Sequence, residues 1–205
     1  MVMTLSDQER ARISDAIRRT EDRTSGEIVC VLARSSSEAT ALPIFIAAVL
    51  ALALPWLLVA VTALAVREIL IMQAVTFVAL AMLLCVPTVR VALMPRAARR
   101  AAAYRAATDQ FVARGIARKK DRAGILIFVS LAERYARIIA DDGIAARVAQ
   151  PQWQGAVDAL TAHMREGRIA DGFVAAIDRC GDVLATHFPL TQAGRDELPD
   201  RIYVI

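Results

Sequence analysis

Leu42-PIFIAAVLALALPWLLVAVTALA-Val66 runs for 25 residues without a charged side chain, and after Arg67–Glu68 the stretch Ile69-LIMQAVTFVALAMLLCVPT-Val89 adds 21 more. A bilayer core takes about 20 apolar residues of helix per crossing. The two runs therefore predict a transmembrane helical hairpin over residues 42–95, with its turn at Arg67–Glu68. The first run holds 14 Leu, Ile, Val or Phe residues and the second holds 11. On an insertion scale these contribute roughly −4 to −8 and −3 to −7 kcal/mol. A soluble domain of this size cannot cover two helices that are apolar on every side. Pro55 and Pro87 fall inside the runs, where membrane helices tolerate a freed carbonyl and a kink. Thr62, Gln73 and Thr76 are the polar side chains at depth, and no acid accompanies them, so the hairpin reads as an anchor rather than an ion path.

The charge lies outside this segment. The chain of 205 residues carries a net charge of +4 and is 22% charged, yet Arg90, Arg96, Arg99, Arg100 and Arg105 follow one another with no intervening acid. Cationic flanks stay on the cytoplasmic face, so both termini are expected inside and the Arg67–Glu68 turn outside. The excess of base needs no nucleic acid to explain it, and the basic runs lack interleaved aromatics. The second run, Arg114, Arg118, Lys119, Lys120 and Arg122, suits anionic lipid headgroups or simply a cation-rich helix end. No cleavable export signal is visible at the start. Cys30, Cys85 and Cys180 form neither a CxxC pair nor a disulfide framework, as in a reducing compartment. The expected location is the cell (inner) membrane.

Removing residues 42–95 leaves about 150 residues, enough for one buried core. Ser6-Asp7-Gln8-Glu9 fits a capping box, and Ile13, Ala16, Ile17 and Thr20 repeat at helical spacing over residues 7–24, with Gly26 as the stop. Glu27–Ala33 is a short apolar run with the length of a buried strand, followed by a Ser35–Ser37 linker. Past the hairpin, Tyr104, Thr108, Phe111 and Val112 mark a helix over residues 97–118. Gly124–Ser130 is the strongest strand signal. Tyr135–Ala140 follows after only four residues, so the two pair antiparallel. Asp141-Asp142-Gly143 reads as a turn. Pro151 opens a helix carrying Trp153, Ala156, Val157, Leu160 and Met164, closed by Gly167, and a last helix carries Ile169, Phe173, Ala176, Ile177, Cys180 and Leu184. The order predicts an α/β layered sandwich in which a small mixed sheet is flanked by helices. Strands 27–33 and 124–130 lie parallel through a right-handed crossover, and the hairpin is inserted into that crossover. The soluble domain is thus discontinuous, residues 1–41 with 96–205.

These residues resemble the TPM domain family, which includes thylakoid-lumen phosphatase-like proteins and bacterial membrane-anchored members. The resemblance runs through Leu5-Ser6-Asp7-Gln8-Glu9-Arg10 and Thr24-Ser25-Gly26-Glu27-Ile28-Val29. It resumes at Asp121–Arg134, continues through Ile138-Ile139-Ala140-Asp141-Asp142-Gly143-Ile144, and ends in the segments around Trp153, Gly167-Arg168, Asp171-Gly172 and His187-Phe188-Pro189. It implies a TPM-like α/β sandwich. It also implies, in some members, acid phosphatase activity and divalent metal held by acids of a Gly-Leu-Glu-Gly segment and an Asp a few residues on. Here Gly143 matches the first glycine, while Ala145 and Ala146 replace the Glu and the second Gly, and Gln150 stands near the Asp position. Ca²⁺ and Mg²⁺ need hard oxygen ligands, which those replacements remove.

The metal candidates left are Asp141, Asp142 and Glu133, with Glu27 as a further acid; Asp and Gly are also ordinary turn residues. Asp171 reads as a helix-terminal charge. His163 and His187, 24 positions apart with no Cys or acid at zinc spacing, do not read as a zinc site. No nucleophile elbow or Gly-rich phosphate loop is present, and no catalytic residue is assigned. No resident cofactor is expected beyond that candidate Ca²⁺ or Mg²⁺. The expected role is a non-catalytic partner-binding or assembly module on a membrane anchor, with the bilayer and an unknown protein or a second copy as partners. The alternative is a divalent-metal-dependent phosphatase-like hydrolase.

Overall fold

A computed structural model describes residues 5–36, 41–116, 123–190 and 199–205. The chain divides into two compact units, residues 1–34 with 103–205, and residues 35–102.

In the first unit the elements are helix α1 (Asp7–Glu21) and strand β1 (Glu27–Ala33) before the hairpin. In the second unit are α2 (Ala41–Val61), α3 (Val66–Cys85) and α4 (Pro87–Leu93), and α5 (Arg96–Ala113) leads back into the first. There follow β2 (Gly124–Ser130), β3 (Tyr135–Ala140), a short α6 (Asp142–Ala145), a 3₁₀ turn (Gln150–Trp153), α7 (Gln154–Arg165), α8 (Ile169–His187) and β4 (Ile202–Val204).

The four strands form one sheet in the order β3-β2-β1-β4. β1 runs parallel to β2, with Glu27 opposite Gly124 and Ala33 opposite Ser130, and parallel to β4 on its other side. β2 and β3 are antiparallel, Ile125 facing Ala140 and Ser130 facing Tyr135. Every residue of β1 and β2 is buried. Strands covered on both faces read as continuous apolar runs, as these do.

The two faces have separate cores. Ile28, Cys30, Leu32, Ile125, Ile127, Val129 and Ile138 lie in a cluster with Ile13 and Ile17 of α1, Leu160 of α7, and Phe173, Ile177, Cys180 and Leu184 of α8. Val29, Val31, Ala33, Leu126 and Phe128, on the alternate side, cluster with Ala107 and Phe111 of α5 and with Ile116. The capping box is present at α1: the Ser6 amide donates to Glu9 at 2.8 Å and the Glu9 amide to Ser6 Oγ at 3.2 Å. At Gly181 a Cβ would lie 2.4 Å from Thr20 Cγ2, so glycine sets how closely α8 approaches α1.

The hairpin differs from expectation at its turn and its end. The turn occupies residues 62–65, and Arg67 and Glu68 belong to the first turn of α3. Glu68 accepts a hydrogen bond from the Ala65 amide at 3.2 Å and so satisfies an otherwise orphan donor at that helix start. The second apolar run is broken as well. Proline disfavours helical backbone in the residue before it, and Val86 is extended (φ −57°, ψ 129°), so α3 stops at Cys85 and α4 begins at Pro87. Pro55 remains inside α2. β4 and the short α6 were not foreseen, and the helix expected from Pro151 starts with a 3₁₀ turn. Arg118, Lys119, Lys120 and Arg122, and residues 37–40 of the linker region, lie outside the described residues.

Candidate functional site

The acids singled out in the sequence lie at two ends of the β2–β3 ladder. Asp141 follows β3, its amide donating to Gly124 O at 2.9 Å. It is 5% exposed and caps α6: its carboxylate accepts from the Asp142 amide at 2.7 Å. The amides of Ile144 and Ala145 return to its carbonyl at 3.0 and 2.8 Å. Its second oxygen, Oδ2, is buried without a hydrogen-bond partner among the described residues. The register puts Glu27, Gly124 and Asp141 in one row across three strands, with Glu27 and Asp141 on the same face of the sheet. Strands sit about 4.8 Å apart, so the Cα atoms of these two acids are roughly 10 Å apart.

Glu133 lies at the other end, in the turn between β2 and β3, buried and accepting a hydrogen bond from Ser130 Oγ. Six residues of β3 separate it from Asp141, a span of roughly 20 Å. The structure therefore does not bring Glu133 to the Asp141–Asp142 pair. Among the described residues no three His, Cys, Asp or Glu side chains stand close enough together to hold a metal ion. The expected three-carboxylate set does not fit Ca²⁺ or Mg²⁺, which draw on several oxygens at once.

The remaining candidates have structural partners. Asp171 pairs with Arg12 at 2.6 Å and with Arg168 at 3.5 Å, tying the start of α8 to α1. The Arg12 guanidinium holds its carboxyl below the usual aspartate value, against a smaller desolvation effect. His163 is half-buried, with Nδ1 2.9 Å from the Ala159 carbonyl, and the carbonyl of His187 accepts from Arg147 at 3.4 Å. Cys30 and Cys180 are fully buried, and desolvation pushes both thiols well up.

Two features of the β2–β3 turn escaped the sequence. Arg134 has φ +52°, the left-handed region that non-glycine residues seldom enter. Beside it opens a groove of about 670 Å³ between the turn and the C-terminal end of α7, lined among others by Leu131, Arg134, Ala136, Met164, Arg165 and Ile169. The turn sequence holds neither Gly nor Asn at the left-handed position, the signal that marks such a site.

Comparison with known proteins adds three findings. A family model described as the TPM domain matches residues 87–183. No curated protein matches. The NMR structure of the BA42 protein from the psychrophilic bacterium Bizionia argentinensis superimposes with a TM-score of 0.64 at 22% identity, covering 100% of this chain and 98% of that one. At that identity the likeness shows the fold.

Proposed function

We propose, from the premise that this chain carries a TPM domain, that it is an integral membrane protein whose TPM-like domain faces the cytoplasm as a non-catalytic partner-binding or assembly module. The observation that carries this reading is the surface of α2 and α3. Both are long and apolar enough to cross a membrane, and their large side chains point outward: Trp56 is 83% exposed, Val66 73% and Met82 72%. A core helix of a soluble protein buries such side chains. The arginines from Arg90 to Arg105 support an inward-facing flank. The use of Asp141 as a helix cap, and the alanines at 145 and 146, favour binding over catalysis.

The experiment joins topology to turnover. After alkaline carbonate washing the protein should stay in the membrane pellet, with reporters at both ends accessible from the cytoplasmic side. Purified full-length protein should not hydrolyse p-nitrophenyl phosphate with Mg²⁺ or Ca²⁺. Release by carbonate, ends on opposite faces, or turnover lost on Asp142→Ala would each overturn the reading. The alternative, a divalent-metal-dependent hydrolase, draws on the buried, unpartnered Asp141 Oδ2 in the same row as Glu27, and the last outcome would establish it.

A further inference from the structure

Among the described residues β3 is an edge strand, and its ladder to β2 fixes which of its backbone groups turn outward. Asp141 opposite Gly124 is a hydrogen-bonded pair. Antiparallel pairs alternate along the ladder, so Tyr135, Arg137 and Ile139 turn their amides and carbonyls to β2, while Ala136, Ile138 and Ala140 turn theirs outward. The outward carbonyl of Ile138 is met by Gln150 Nε2 at 3.3 Å. Among the described residues Ala136, next to the groove, has no such hydrogen bond.

Charge decides what fits there. Arg134 and Arg165 line the groove, both exposed, and neither side chain has an ion pair or hydrogen bond among the described residues. Arg137, in β3, lies on the opposite face, over the Tyr104 ring at 4.7 Å. Of the acids nearby, Glu133 is buried and accepts from Ser130, and Glu166 is held by Arg168. An exposed strand edge invites pairing with another chain, and charged side chains select against a like-charged one. A second copy would set these arginines against their own equivalents. A chain whose acidic side chains face the groove meets the guanidinium groups of Arg134 and Arg165 instead, while its alternate, apolar side chains lie on the Tyr104 side of the sheet.

We propose that the β3 edge and its adjoining groove receive an extended, acidic segment of a partner protein, added to the sheet as a fifth strand through the backbone of Ala136. This deepens the partner-binding reading and rests on it. Strand addition draws affinity from main-chain hydrogen bonds and specificity from alternate side chains, here an acidic–apolar alternation.

The test uses the full-length protein in phosphatidylcholine nanodiscs and a fluorescent acetylated hexapeptide of three Val-Glu repeats. The expected result is saturable binding, absent from empty nanodiscs, with slowed hydrogen exchange at the Ala136 amide. The double variant R134E/R165E, with unchanged circular dichroism, should weaken binding by at least about tenfold. A Val-Lys peptide, or the Val-Glu peptide methylated on alternate amides, should not bind. Absence of binding, equal binding of the methylated peptide, or indifference to the charge reversal would overturn the proposal. So would displacement of the peptide as protein concentration rises, which would give the edge to a second copy. Failure of the peptide leaves the anchored, non-catalytic reading standing, whereas phosphatase turnover removes that reading without touching the peptide result.

Discussion

Arg134 holds the tight turn between β2 and β3 in a left-handed backbone conformation, its amide bonded to Leu131 O at 3.2 Å. A side chain there is strained, and glycine is not. Arg134→Gly should therefore stabilise the fold by up to about 1 kcal/mol, read as a raised unfolding midpoint in urea. At the neighbouring strand position Ala136→Gly has no such strain to relieve and should not stabilise. A second residue-scale outcome concerns Asp171, whose carboxyl is held below its ordinary value of 3.8 chiefly by the hydrogen bond from Arg12. A lowered folded-state pKa means that the ionised carboxylate stabilises the native chain above pH 3.8. That stabilisation fades as pH falls through the lower, folded value. Asp171→Asn should be less stable than the parent by a margin constant from neutral pH to about pH 4 and closing below it. Denaturation series at several pH values would show the closure, and a margin that widens in acid would refute it.

Among the elements, those formed by local pattern were legible and those formed by distant partners were not. The capping box at Ser6–Glu9, the central strands Glu27–Ala33 and Gly124–Ser130, and the helices after Trp153 follow from periodicity, caps and apolar runs. β4 is three residues long, too short to show a period, and exists because β1 offers Cys30, Val31 and Leu32 as its row of partners. The hairpin turn was misplaced because two charges look like a loop, whereas Glu68 serves the start of a helix. The metal candidates illustrate the same limit. Asp141 and Glu133 are eight positions apart in sequence, but strand pairing sends them to opposite ends of a ladder. The α1–α8 contact gives an element-scale prediction. Gly181→Ala sets a Cβ against buried Thr20 and should cost about 1–3 kcal/mol despite the better helix propensity of Ala. The Thr20→Ser background, which lacks the colliding methyl, should recover most of that loss. Equal costs in both backgrounds would place the clash elsewhere.

At the scale of the whole molecule, Cys30 and Cys180 report on global opening. Both are buried in the core between the sheet and the helices, and desolvation disfavours their thiolates. Because the thiolate is the reactive form, native protein at pH 8 should leave both unmodified by iodoacetamide, and modification should appear together with the loss of structure in urea. Mass spectrometry of the labelled peptides reads this directly, and prompt labelling of either one would contradict the packing. The placement of β1 has a further consequence, for synthesis. Its two neighbours, β2 and β4, both emerge from the ribosome after the apolar pair α2–α3. At about 5–20 residues per second, translation from residue 33 to residue 130 takes roughly 5–20 s. Throughout that interval the nascent chain exposes a finished but unpaired Ile-Val-Cys-Val-Leu stretch, so the greasy helical pair is complete well before any globule can close around that stretch.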